Sequence, residues 1–166
     1  MRAPEHPRPA WGILGLVGEE PVAAVALVDV VLVVDAANVV GSRPDGWWRD
    51  RAGAARRLLA QLALVPGRAV AGADGAPVRV LAVAAVLEGA ARAAGVHPTA
   101  PGVEVLLAEG SGDDAVVELA GHLGRDLGAG TEVVVVTADR GLRARLPGRC
   151  WGPGWLLALP DAPPAR

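Results

Sequence analysis

Valine-rich apolar runs recur along the chain, and each ends at an acidic residue or leads into one. Val30 to Val34 reaches Asp35, and Val80 to Leu87 reaches Glu88. Val103 to Leu107 precedes Asp113 and Asp114, and Val133 to Val136 precedes Asp139. Continuous β-branched runs separated by helix-period segments predict buried parallel strands joined by right-handed crossovers. The strands fall at 28–35, 78–87, 103–107 and 132–137. Between them the apolar period predicts helices over 48–64 and 114–127, with Pro66-Gly67 ending the first. Short helices follow the second and fourth strands. Residues 66–77, rich in glycine and proline, read as a surface loop. The run Trp155 to Leu159 reads as a closing fifth strand. The fold class is α/β with a mostly parallel central sheet of about five strands. One domain spans 23–159, between a flexible extension at 1–22 and a disordered proline-rich tail at 160–166.

In a parallel sheet every strand ends on the same edge, and ligands bind at that edge. Asp35, Glu88, Asp113, Asp114 and Asp139 are thereby predicted to share one crevice. Each has a plain structural reading: Asp35, Asn38, Ser111 and Asp139 suit helix N-caps, Arg140 suits an ion pair, and a glutamate at a strand end is often solvated. Capping does not explain why all of them fall on one edge. Carboxylates a few ångströms apart raise one another's pKa unless a cation neutralises them. Oxygen donors without nearby His or Cys suit Mg2+ or Mn2+, which can activate water against a phosphodiester. Asp35, Glu88, Asp113, Asp114 and Asp139 are the candidate metal ligands.

Composition narrows the classes. The 166 residues are 52% hydrophobic and 20% charged, as expected of a globular chain with a substantial core. A net charge of -2 offers nucleic acid no bulk attraction, so any contact must be local. All sixteen basic residues are arginine, which excludes P-loop and other lysine-dependent chemistry. The single cysteine, Cys150, excludes an internal disulfide and fits the cytoplasm. No run reaches the ~20 apolar residues of a membrane span.

The motifs, in order, are Val-Val-Asp35-Ala-Ala-Asn38-Val-Val-Gly41, Leu-Glu88-Gly89, Gly110-Ser111-Gly112-Asp113-Asp114 and Val-Val-Thr137-Ala138-Asp139-Arg140-Gly141. Over about 28–157 this series resembles the NYN branch of the PIN-like nucleases, particularly the YacP-like members. The resemblance implies a three-layer α/β/α PIN-like, Rossmann-like fold and metal-dependent endoribonuclease activity on single-stranded or structured RNA. It assigns catalytic roles to Asp35, Asn38, Asp114 and Asp139. Two departures stand out: Ala36-Ala37 replaces the family's Gly-Tyr, and Glu88-Gly89 replaces the usual Asp-Gly.

The segment Ser42 to Arg51 follows the first motif and is expected to overhang the crevice. Arg43, Trp47, Trp48 and Arg49 there, with Arg140 and Arg143 beside Asp139, are the candidate RNA contacts. The competing reading seats at least one of the two tryptophans in the core. His97 and His122 read as surface residues. Two rival functions remain open. One is a metal-dependent phosphohydrolase of small phosphoesters, although a haloacid-dehalogenase-like mechanism would need a second aspartate at Ala37 and a lysine. The other is a weakly active or non-catalytic RNA-binding module.

Overall fold

The computed structural model describes residues 27–95 and 100–159. The first valine run forms β1 (Val28–Asp35), buried from Val30 onward because both its faces are covered. Its side chains alternate between two cores, as the two-residue strand period requires. Val30, Leu32 and Val34 point into one, Val33 into the other. β1 lies between β3 (Pro77–Leu87) and β5 (Thr131–Val136), parallel to both. β4 (Val103–Leu107) adds in parallel to the second half of β3, and β6 (Arg149–Trp151) adds in parallel to β5. β2 (Ala69–Ala71) pairs antiparallel with the start of β3. The result is a six-stranded, mostly parallel sheet with β1 at its centre.

Helices cover both faces. On the Leu32 face lie α1 (Ala36–Gly41), α2 (Arg51–Leu62) and α5 (Pro153–Ala158). On the Val33 face lie α3 (Gly112–Asp126) and α4 (Arg140–Arg145), which bury Val116, Ala120 and Leu142. This is the expected three-layer α/β/α arrangement. Burying a Val or Leu side chain contributes about 1.5–3 kcal/mol. The fully buried Val30, Leu32, Val33 and Val34 therefore hold the sheet together far more than exposed pairs such as Arg79–Asp29.

Four local expectations change. The closing strand at 155–159 is instead α5. Pro153 at its first turn favours helix, and the run buries Leu156 and Leu159 while exposing Ala158, a helical spacing. The fifth parallel strand is β6, a segment too short to show a pattern. The surface loop at 66–77 contains β2. The helix expected over 48–64 begins later. Trp47–Arg49 forms a 3-10 turn and Asp50 caps α2, its Oδ1 accepting from Gly53 N at 2.7 Å, while α1 follows β1 directly. The extension at 1–22, the tail at 160–166 and His97 lie outside the described residues. His122 is exposed on α3, as expected, and Trp151 is buried in the larger core. Among the described residues no helix is long and apolar enough to cross a membrane.

Candidate functional site

Where β1 and β5 run out, the chain turns sharply into α1 and α4, and polar side chains tie the two turns together. Asp35, almost fully buried, caps α1: its Oδ1 accepts from Asn38 N at 3.1 Å. Its Oδ2 accepts from the hydroxyl of the fully buried Thr137 at 2.9 Å. The same hydroxyl oxygen accepts from Asp139 N at 3.1 Å. Asp139 caps α4 through Leu142 N at 2.8 Å, and Asn38 Oδ1 accepts from Ala138 N at 2.7 Å. Two strand ends 102 residues apart are thereby held in one frame.

At the end of β3, Glu88 reaches across to α3, where its Oε2 accepts from Gly112 N at 2.7 Å. A Cβ on Gly112 would lie 2.5 Å from that oxygen, so only glycine allows this contact without displacing the glutamate. Ser111 caps α3 through Asp114 N at 3.4 Å. Asp35, Glu88, Asp113 and Asp139, with Ala37, Asn38 and Ser42, line an open trough of about 410 Å³. The capping reading and the shared-edge reading hold together, since Asp35 and Asp139 each cap a helix and also wall the trough.

The trough carries concentrated negative charge. Burial pushes the Asp35 carboxyl above the ordinary aspartate value. The Asn38 amide and Thr137 hydroxyl pull it back, and the charges of Asp113 and Glu88 push it up again. Asp113 is also raised, first by burial and then by Asp139 and Glu88, with Arg145 opposing and Asp114 adding a little. Among the described residues, no three His, Cys, Asp or Glu side chains are close enough to hold a metal ion. The two observations are compatible, because charges act over much longer distances than a metal–oxygen bond of about 2.0–2.6 Å.

One consequence can be measured without any metal. Between the ordinary value of 3.8 and its raised value, Asp35 keeps a proton in the folded chain that it loses in the unfolded one. Unfolding then releases protons, and stability falls as pH rises through that window. Wild type is expected to lose stability relative to Asp35→Asn as pH rises from about 4, read by melts in chelator. Parallel profiles would show that burial does not raise Asp35.

Asp114 is placed elsewhere. It is exposed on α3, and its Oδ1 accepts from Arg145 Nη2 at 2.5 Å. At 100° per residue, Asp113 shares the side of Val116 and Ala120, while Asp114 shares that of Glu118 and Arg125. That period was readable in advance and separates the two acids. The sequence gives no sign of Arg145 and marks Thr137 only as a motif position.

The candidate RNA contacts scatter. Arg43 donates to Gln61 Oε1 at 2.9 Å, and Arg143 donates to Cys150 O at 2.9 Å. Trp48 is 56% exposed, with the Arg49 guanidinium 6.0 Å from its ring. Trp47 is half-buried, edge-on to Trp48 at 6.2 Å, with Arg51 at 5.5 Å over its ring. Arg140 is exposed in the first turn of α4, next to Asp139.

No protein-family model matches the chain, and no curated protein matches it. Among solved structures it is similar to Rae1 (YacP) from Bacillus subtilis, with a TM-score of 0.57 and 18% identity. The likeness covers 79% of this chain and 74% of that one. At this identity the likeness shows a shared fold, in keeping with the α/β architecture that the order of the four motifs predicts.

Proposed function

We propose that this chain is a metal-dependent endoribonuclease that hydrolyses RNA phosphodiester bonds in the carboxylate trough. The observation that carries the reading is the convergence of Asp35, Glu88, Asp113 and Asp139 on one open trough at the C-terminal edge of the sheet. The likeness to Rae1 (YacP) supports it at the level of the fold.

The donor set fits Mg2+ or Mn2+: it is all carboxylate oxygen, and part of it stays free after the internal hydrogen bonds are made. Asp139 keeps Oδ2, Glu88 keeps Oε1 and Asp113 presents its carboxylate, while both Asp35 oxygens already accept one hydrogen bond each. These four would hold the cation, and they would have to move closer together than they stand to do so. When bound, the cation supplies an activated water and neutralises charge on the phosphoryl group. The protein's own groups do the positioning. Ala138 N fixes the Asn38 carbonyl, which leaves the amide NH2 free to donate to a phosphate oxygen. Arg140, exposed next to Asp139 in the chain, adds positive charge nearby. Asp114, bonded to Arg145, stands outside this set as placed.

An open trough suits a polymer strand laid across it. Small phosphoesters are usually held in pockets that bury 70–90% of the ligand, so the phosphohydrolase reading is second. With Cys150 free, the cytoplasm is the compartment this reading expects. The test is cleavage of end-labelled single-stranded RNA with Mn2+, with Mg2+ and in chelator, beside thermal melts with Mn2+. Cleavage should require the metal. Mn2+ should raise the melting temperature of wild type and not that of Asp35→Asn. Cleavage in chelator, or equal shifts for both proteins, would reject the metal mechanism. Hydrolysis of a small phosphoester with RNA left intact would favour the second reading.

A further inference from the structure

Beside the trough, and sharing Ala37 and Glu88 with it as walls, lies a second cavity of about 320 Å³. Trp47 and Arg51 form its polar and aromatic side, and Val40, Ala55 and Ala91 its aliphatic side. We propose that this cavity receives one nucleobase of an RNA strand whose backbone occupies the trough. The inference rests on the RNA reading above and adds a base-binding subsite to it.

Three observations support this occupant. The first is placement, since the cavity and the trough share Ala37 and Glu88 as walls. The second is chemistry. Unpaired bases are held by aromatic rings and by guanidinium planes, and here an arginine already stands over a tryptophan at 5.5 Å. The third is access. Of the two shared walls, Ala37 is exposed on α1 and carries only a methyl group, while Glu88 is drawn toward Gly112 N. Of the other described tryptophans, Trp151 and Trp155 pack on each other at 4.3 Å, and Trp48 does not line the cavity. Trp47 is thus the ring available at this position. Gly41, a trough residue, lies against it: a Cβ there would be 3.7 Å from the Trp47 ring.

The test is binding, measured at low salt with Ca2+ in place of Mg2+ or Mn2+, so that the trough's charge is neutralised and no cleavage is needed. A short labelled oligoribonucleotide is compared with its abasic counterpart by fluorescence polarisation. Stacking worth about 1–3 kcal/mol per base predicts that wild type prefers the base-bearing strand by roughly 5- to 150-fold. Trp47→Leu and Ala37→Leu should each bring that ratio close to one, the first by removing the ring and the second by adding bulk at the shared wall. Leu64→Ala, at an exposed position outside both cavities, should leave it intact. If Trp47→Leu fails to fold, Ala37→Leu alone decides. A ratio near one in wild type, a ratio that survives both substitutions, or no binding of either strand would overturn the proposal. A preserved ratio without cleavage would reject the nuclease reading and keep the subsite; cleavage with a ratio of one would do the reverse.

Discussion

Asparagine in place of Asp139 is expected to slow RNA cleavage by at least about 100-fold, above the 10- to 100-fold typical of groups that only orient a ligand, while the protein stays folded. The reason lies in the two uses of that carboxylate. Its Oδ1 caps α4 by accepting from Leu142 N at 2.8 Å, and asparagine is as good an N-cap as aspartate. The residue also lines the trough, where an amide NH2 in place of its second oxygen would oppose a cation instead of binding it. The lost charge also removes one of the pressures that raise the Asp113 carboxyl. A melt and a cleavage rate on the same preparation separate the two uses. Asp139→Ala should add a stability loss of about 1 kcal/mol from the missing cap. If Asp139→Asn cleaves as fast as wild type, Asp139 is a cap and nothing more.

The second large effect should come from Thr137→Val. The shape is kept and one buried hydroxyl is lost, the one that donates to Asp35 at 2.9 Å and accepts from Asp139 N at 3.1 Å. A charged oxygen and an amide would then lack a partner, at about 1–3 kcal/mol each. The melting temperature should fall by roughly 4–24 °C, at 2–4 °C per kcal/mol for a chain of this size. Cleavage should fall about 10- to 100-fold, since Asp35 would lose its orienting partner. Thr137→Ser keeps the hydroxyl and should recover most of both. A serine variant as impaired as the valine variant would mean that packing of the methyl group, and not the hydrogen bonds, carries the effect.

The parts of the molecule that were legible in the sequence share a physical cause. β1, β3, β4 and β5 are long runs covered on both faces, so burial marks them without ambiguity. Parallel pairing then brings Asp35, Glu88 and Asp139 to one edge, and the helix that starts there brings Asp113. The misread parts are short or owe their form to tertiary contact. β2 and β6 have three residues each, and α1 exists because Asp35 caps it. The run that becomes α5 is apolar all along, and only its burial spacing shows it to be helical. The arginines were harder still. Whether a guanidinium turns outward or finds Gln61, Cys150 O or Asp114 depends on neighbours far away in the chain.

The central place of β1 has a consequence in time. It is the first strand of the described chain, yet its partners are β3, about 50 residues later, and β5, about 100 residues later. Loops of that size must close before either pairing is rewarded, and such topologies assemble slowly. A ribosome-bound chain that has emerged only as far as α3 already carries Asp35, Glu88 and Asp113, but lacks the Thr137 hydroxyl that fixes Asp35 and the Asp139 that completes the trough. The trough is therefore complete only once β5 and the turn into α4 have been synthesised.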